Sequence, residues 1–176
     1  INVAIELNLQ STAWGAAEFV AALQQGKCDL VLCYWHPHIE SLSTLDDENF
    51  EYLKVAEDQL IPVSAPDQQE LPMFQLPGTR QHPLPYIAYH QTSFMASLLK
   101  QTLSWNNRAH LAVLNENRHA VSVVAMIREG FGLGWVPQRL VEKELQEGTM
   151  KVAGDEDWFI PLEVRLYRGK QINNQN

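Results

Sequence analysis

The stretch that decides the fold runs from residue 127 to residue 137 and reads IREGFGLGWVP. Gly130 lies where a preceding helix needs a residue of positive φ in order to end. Gly132 and Gly134 follow, and because neither carries a Cβ they allow a tight entry into a buried strand. The pattern predicts a helix at Ala120–Glu129, a strand at Gly132–Val136 and, starting from Pro137, a helix at Arg139–Gln146.

The alternation of strands and helices extends outward from this stretch on both sides. Strands are predicted at Ile1–Leu7, Asp29–Trp35, Phe50–Val55, Leu60–Val63, Tyr86–Tyr89, His110–Leu114 and Ile160–Tyr167. Helices are predicted at Ser11–Gln25 and Ser93–Leu103. The apolar run of the second strand is typical of a parallel strand covered on both faces, so residues 1–35 predict a βαβ unit.

Two irregular segments separate these elements. His36–Asn49 is polar and acidic, which predicts a solvated loop. Six prolines between Pro62 and Pro85 disfavour long helices and indicate a connection between lobes, with a hinge near Ser64. We therefore predict lobe I at residues 1–63, lobe II at residues 64–157 and a return to lobe I at residues 158–176.

The composition limits the possible partners. The chain has 176 residues and is 45% hydrophobic, which suits a globular protein. Its 13 Lys and Arg against 21 Asp and Glu give a net charge of −8, so nucleic-acid phosphates are repelled overall. Apolar runs are far shorter than the roughly 20 residues of a membrane span. We expect a cytoplasmic protein with no membrane contact, whose two cysteines stay reduced.

Three segments carry a resemblance to a known family. They are QGKCDLV at residues 25–31, LIPV at residues 60–63 and the glycine-rich stretch at residues 127–137. Together they resemble the effector-binding domain of LysR-type transcriptional regulators, in the same order over nearly the whole chain. The resemblance implies an α/β fold of two Rossmann-like lobes, of the type 2 periplasmic-binding-protein kind. Family domains begin with a further strand and helix and end with a further helix, so we expect a domain truncated at both ends.

The resemblance also implies a function. It predicts a sensory domain that binds or reacts with a small effector or oxidant in the cleft between its lobes. DNA would be contacted only through a winged helix-turn-helix that this chain lacks. Family domains pair antiparallel into homodimers that assemble further into tetramers. Applied to this sequence, that pairing places four residues at the dimer interface: Trp14, Ala17, Val121 and Val124.

Within the family, residues 86–167 look most similar to the hypochlorite-responsive subfamily. That subfamily is activated by oxidation of methionine to the sulfoxide, and one of its functional methionines falls on Met95. A second falls on His119, which cannot undergo this chemistry, and a third would precede Ile1. The periodicity of Met95 with Leu98 and Leu99 favours an ordinary core methionine, so the oxidation switch rests on the resemblance.

Polar loops follow two of the predicted strands and mark the candidate effector site. Ligands of open α/β lobes bind at the carboxyl ends of strands, and each loop also begins a helix whose free N–H groups attract polar ligands. The second loop could face the first across the cleft. Thr92 or Ser93 could instead act simply as a helix N-cap. The predicted effector-binding residues are His90, Gln91, Thr92, Ser93, Met95, Asn115, Asn117 and His119.

No residue pattern points to catalysis or to a cofactor. Cys33, His36 and His38 cluster near the end of a strand, but a fourth ligand at zinc spacing is missing, so no metal is expected. Cys28 lacks the cationic setting and resolving partner typical of a peroxide-sensing thiol, and we expect it to be inert. The sequence lacks a nucleotide-binding loop of the GxGxxG type and an HExxH helix. A regulator rather than an enzyme is expected, and the alternative is a solute-binding protein of a transport system.

Overall fold

A computed structural model of the chain describes residues 15–105 and 109–170. The predicted strand at Ile1–Leu7 and the predicted start of the first helix lie outside these residues. The described helices are α1 (Ala16–Gln24), α2 (Glu40–Ser43), α3 (Phe94–Trp105), α4 (Ala120–Arg128) and α5 (Glu142–Glu147). The described strands are β1 (Leu30–Trp35), β2 (Phe50–Ser64), β3 (Leu84–Tyr89), β4 (Leu111–Asn117), β5 (Gly134–Pro137), β6 (Lys151–Val152) and β7 (Ile160–Gly169).

The larger sheet is built around the 15-residue strand β2. Its strand order is β1-β7-β2-β5, all neighbours are antiparallel, and β6 pairs with the end of β2. β7 pairs with the first part of β2, whereas β5 pairs with the part from Leu60 to Val63. β2 therefore joins the part of the molecule that holds β1 and β7 to the part that holds β5 and β6, and it ends at Ser64, where we placed the hinge.

The smaller sheet consists of the parallel strands β3 and β4. A parallel bridge from Tyr86 to Leu133 joins β3 to the chain that enters β5. Gly132 makes this close approach possible, because a Cβ at this position would lie only 2.6 Å from the Pro85 carbonyl oxygen. β3 is thus an inner strand with neighbours on both sides, and β4 has β3 as its one described neighbour.

The core forms where α4, β3 and β5 pack together. Trp135 on β5 is fully buried, and its indole N–H donates to the Trp158 carbonyl oxygen at 2.9 Å. The Tyr86 ring packs edge-on against Trp135, with ring centroids 5.8 Å apart. Burial of large aromatic rings with a satisfied N–H favours a fixed arrangement of these elements.

The sequence-based prediction around the glycine-rich stretch is confirmed for the helix. α4 ends with Glu129 as its C-cap, and Gly130 follows at φ 77°. The absence of long helices between Pro62 and Pro85 is confirmed as well, since no helix lies between β2 and β3. None of the helices in the described ranges is long and apolar enough to cross a membrane.

Several predicted elements are corrected. β1 pairs antiparallel with β7 and has Leu30 and Leu32 exposed, so the prediction of a strand covered on both faces is wrong. The predicted βαβ unit depends on the strand at Ile1–Leu7, which lies outside the described residues. The predicted helix at Arg139–Gln146 is a 3₁₀ helix at Gln138–Leu140 followed by α5, and Pro137 both ends β5 and is the N-cap residue of the 3₁₀ helix. The segment predicted as a loop contains the short helix α2.

The two strands predicted at Phe50–Val55 and Leu60–Val63 are one strand. A bulge between Lys54 and Ala56 keeps the polar residues 57–59 in the ladder with β7. The polar composition of these residues had suggested a break in the strand. Pairing with β7 instead satisfies their backbone groups, so the strand continues.

Candidate functional site

A cleft of about 420 Å³ lies between the start of α1 and the start of α3. One wall is formed by Gly15–Glu18 together with the segment Ile39–Ser41 after β1. The opposite wall is formed by Thr92 and Ser93 after β3 and by Ser97 and Gln101 on α3. Both predicted lobes therefore contribute to the cleft, and they do so where a strand gives way to a helix.

The two walls touch at Gly15. A Cβ at this position would lie 2.9 Å from the Thr92 carbonyl oxygen, so only glycine fits this approach without displacement. The Gly15 N–H donates to Glu18 Oε2 at 2.5 Å, and this hydrogen bond caps the first turn of α1. The contact between the walls therefore depends on how the N-terminus of α1 is held.

Two residues of the first predicted loop, Thr92 and Ser93, line the cleft, whereas His90 does not, and the loop also caps a helix. Ser93 is buried, and its Oγ accepts a hydrogen bond from the Ala96 N–H at 3.1 Å. His90 Nδ1 lies 2.9 Å from the Thr92 hydroxyl, which fixes the turn before the cap. Ser93 thus lines the cleft and serves as the N-cap of α3 at the same time, while Gln91 is exposed and does not line the cleft.

The second predicted loop begins later than expected, because β4 continues to Asn117, and it lies beside the first loop instead of across the cleft from it. The His90 N–H donates to the Asn117 carbonyl oxygen at 2.8 Å, because β3 and β4 end at the same level. The Asn117 side-chain amide donates to Asn115 Oδ1 at 2.8 Å and contacts Met126 Sδ at 3.3 Å. Asn115, Asn117 and His119 do not line the cleft described above.

Met95 lies in the first turn of α3, two residues after the cap. Its side chain is half-buried and packs against the hydrophobic core. This placement fits the core methionine predicted from its spacing, and Met95 does not line the cleft. His119 is the N-cap residue of α4 and makes no capping hydrogen bond with its side chain.

Sequence reasoning missed the wall that α1 and the segment after β1 provide. Gly15, Glu18, Glu40 and Ser41 belong to it, and none was selected. On α3 a signal was present, because Ser97 and Gln101 lie four residues apart and therefore share one face of the helix. Such a polar pair at the start of a helix after a strand would have identified this face.

A partly buried thiol on β1, Cys33, and a buried histidine just after the strand, His36, lie outside the cleft lining. Desolvation, together with the nearby His38 ring, lowers the pKa of His36, whose Nδ1 accepts the His38 N–H at 3.2 Å. Burial raises the pKa of Cys33 to about 12 despite the nearby Arg165 guanidinium. A thiol with so high a pKa is a poor nucleophile at neutral pH. Among residues 15–105 and 109–170, no group of three His, Cys, Asp or Glu side chains is placed to hold a metal ion.

The residues predicted at a dimer interface have different exposures. Val121 on α4 is 63% exposed, and Ala17 on α1 is also exposed. Val124 is 6% exposed and belongs to the core, so it offers little surface to a partner. Trp14 lies outside the described residues.

Comparison with known proteins identifies the protein family of this chain. The family model for the LysR substrate binding domain matches residues 3–173. The chain belongs to this family. The LysR substrate-binding domain is the effector-binding regulatory part of LysR-type transcriptional regulators. This match favours a regulator over the transport-associated binding protein that we kept as the alternative.

The relatives of this LysR domain are regulators. The HTH-type transcriptional regulator YjiE of Escherichia coli (strain K12) is 24% identical over 151 residues, which cover 86% of this chain and 47% of that protein. The chain spans about half the length of the curated relatives it matches.

Solved structures share the fold at low sequence identity. The apo regulatory domain of HypT from Salmonella typhimurium matches with a TM-score of 0.79 and 22% identity, covering 92% of this chain and 73% of that chain. Full-length HypT, described as a hypochlorite-specific LysR-type transcriptional regulator, matches with a TM-score of 0.77 and 22% identity, covering 89% of this chain and 50% of that chain. The predicted type 2 periplasmic-binding-protein fold is thereby confirmed.

Proposed function

We propose that this LysR domain senses a small molecule in the cleft between α1 and α3 and passes the change to a DNA-binding region of the same regulator. The observation that supports this most directly is that two separate parts of the chain meet there, Gly15 against Thr92, around a space of about 420 Å³. A space of this size lies in the usual range of small-molecule sites.

The proposed mechanism is a shift between two arrangements of the lobes. Residues 1–63 and 158–176 form lobe I in this proposal, and residues 64–157 form lobe II. Because Gly15 of one wall lies against Thr92 of the other, a molecule that contacts both walls would stabilise one spacing of the lobes over another. Differential affinity for the two spacings is what would change the activity of an attached DNA-binding region.

Dimerisation is part of the same proposal. The exposed Ala17 on α1 and Val121 on α4 are the residues we retain for an antiparallel homodimer, in which α1 of one subunit lies near α4 of the other. In that arrangement a change in lobe spacing would also change the distance between the paired subunits. The changed distance would reposition the attached DNA-binding regions.

An oxidant response is the finer form of the proposal. Met95 is half-buried in the first turn of α3, so its conversion to the sulfoxide would place a polar group against the apolar core. The similarity to HypT supports oxidation as a trigger to be tested, with hypochlorite as the first oxidant. Substitution Met95→Leu keeps the packing volume and removes the oxidisable sulfur.

The test uses the full-length regulator and a reporter under its own promoter. Ser97→Trp fills the cleft from the exposed side of α3, and we expect it to abolish the response to inducing compounds, hypochlorite included. Lys100→Trp is the matched control, since Lys100 is exposed on the same helix and does not line the cleft. A normal response in the Ser97→Trp protein would contradict the proposal.

A further inference from the structure

The charged side chains that line the cleft are both negative. Glu18 in the first turn of α1 and Glu40 in the first turn of α2 both line it. Within the described ranges, no Lys, Arg or His side chain contributes to the lining. The other polar groups of the lining are hydroxyls and one amide, including those of Ser41, Ser97 and Gln101.

Among the described residues that line the cleft, positive charge comes from the helix N-termini. An α-helix N-terminus is equivalent to about half a positive charge, so α1 and α3 together supply about one positive charge against two negative ones. The end of α1 is already compensated, because Glu18 accepts the Gly15 N–H. The end of α3 is partly satisfied by Ser93 Oγ, which accepts the Ala96 N–H. The cleft therefore keeps a net negative potential.

Neighbouring segments do not reverse this sign. Lys100 precedes Gln101 on α3 but lies about a quarter turn away from the stripe of Phe94, Ser97 and Gln101 that faces the cleft. The sequence of residues 1–14 contains Glu6 as its single charged residue and no Lys, Arg or His. The whole chain carries a net charge of −8, which adds to the same potential.

We propose that the effector of this cleft is a neutral or positively charged polar molecule, and that carboxylates and other organic anions are excluded. This inference rests on the proposed function and adds the chemical class of the ligand. A neutral molecule would be held by the hydroxyl and amide groups of α3, and an ammonium group would add attraction to Glu18 and Glu40. For an oxidant trigger, the undissociated acid is favoured over its anion for the same reason.

The experiment uses nitroxides that differ in charge and share one ring. The ¹⁵N-labelled chain is mixed in turn with 3-aminomethyl-PROXYL, 3-carbamoyl-PROXYL and 3-carboxy-PROXYL, which are cationic, neutral and anionic. Paramagnetic relaxation enhancement is measured at the amides of Thr92, Ser97 and Gln101. The carboxylates less the helix N-termini leave about one negative charge, so in 0.1 M salt we expect the cationic probe to exceed the anionic one by about twofold.

Variants separate the charge effect from other causes. Glu18→Gln removes a charge and keeps an acceptor for the Gly15 N–H, and Glu40→Gln removes the second charge. Each is expected to lower the cation-to-anion ratio at the cleft amides about twofold. Glu129→Gln is the control, because Glu129 is exposed at the end of α4 and does not line this cleft.

The outcomes distinguish the two proposals. An anionic probe that relaxes the cleft amides as strongly as the cationic probe would overturn the charge inference and leave the cleft as a binding site. If all three probes stay away from the cleft amides while they relax the exposed Val113 on β4, the cleft is closed to small molecules and the proposed function itself is overturned.

Discussion

The two loops that follow β3 and β4 have the same local design and different surroundings. Each ends a parallel strand, carries polar residues and begins a helix, and they are joined by the hydrogen bond from the His90 N–H to the Asn117 carbonyl oxygen. Yet only the loop after β3 lines the cleft, where Thr92 lies against Gly15. At the end of β4, Asn117 contacts Met126 of the following helix instead.

The difference comes from the position of each strand in its sheet. β3 is held between β4 and the chain at Leu133, so its end is directed at the opposite wall. Val113 and Leu114 on β4 are more than half exposed, so β4 lies at the outer side of the molecule. Local sequence thus decides whether a loop is polar, and the tertiary position of its strand decides whether that loop belongs to a site.

The largest effect is expected from disturbing the inner neighbour of β3. Gly132→Ala would place a Cβ 2.6 Å from the Pro85 carbonyl oxygen, so β3 and the chain before β5 must separate. We expect a loss of about 2–3 kcal/mol in the free energy of unfolding, measured by urea titration. Val113→Ala on the outer strand should change it by less than about 0.5 kcal/mol. Equal losses in the two variants would remove the distinction between inner and outer strands.

The rate of methionine oxidation can be compared between α3 and α4, the helices that follow the two loops. Met95 on α3 and Met126 on α4 are both half-buried, whereas Met73 is 45% exposed and Met150 is fully buried. We expect limiting hypochlorite to oxidise Met73 about tenfold faster than Met150, with Met95 and Met126 between them. Peptide mass spectrometry gives the order. Met150 oxidised first would contradict the burial that underlies this comparison.

A smaller effect separates the caps of the two helices. Ser93→Ala removes the acceptor for the Ala96 N–H, and we expect the free energy of unfolding to fall by about 1 kcal/mol. His119→Ala removes no capping hydrogen bond from α4 and should cost less. Ser93→Asp restores an acceptor and serves as the control. Loss of stability in Ser93→Asp equal to that in Ser93→Ala would argue against the cap.

The smallest expected effect is the pH dependence of stability that arises from His36, which follows β1. Burial, with the His38 ring, lowers the pKa of His36 below the ordinary 6.5, so the unfolded chain takes up this proton at a higher pH than the folded chain. Stability from this group is therefore complete above pH 6.5 and declines as the pH falls from there to the folded pKa. We expect a decline of less than about 1 kcal/mol, measured by unfolding between pH 7 and 5. His36→Asn should flatten it, and an unchanged slope would assign the decline to other groups.

The sequence predicted what depends on local chemistry. The end of α4 was predictable, because a helix commonly ends at a residue of positive φ and glycine adopts this conformation most easily, as Gly130 does. The polar loop at residues 90–93 was also predictable, because polar residues between a strand and a helix start form a local sequence pattern. The continuity of β2 was not, because its polar middle is stabilised by pairing with the distant strand β7.

The far wall of the cleft was equally beyond local reasoning. Gly15 and Glu18 acquire their place only when α1 is brought against Thr92, a residue far along the chain. Asn117 is the opposite case. Its polar side chain at a strand end led to the prediction that it lines the cleft, but its partners are the nearby Asn115 and Met126. Contacts between lobes follow from the tertiary fold and have no signature within a short window of sequence.

The most direct test is a crystal structure of the full-length regulator with its effector bound. We predict electron density for the effector between Gly15 and Glu18 on one side and Thr92, Ser93 and Ser97 on the other. Density beside Asn117 and α4, with the space between α1 and α3 empty, would contradict the account.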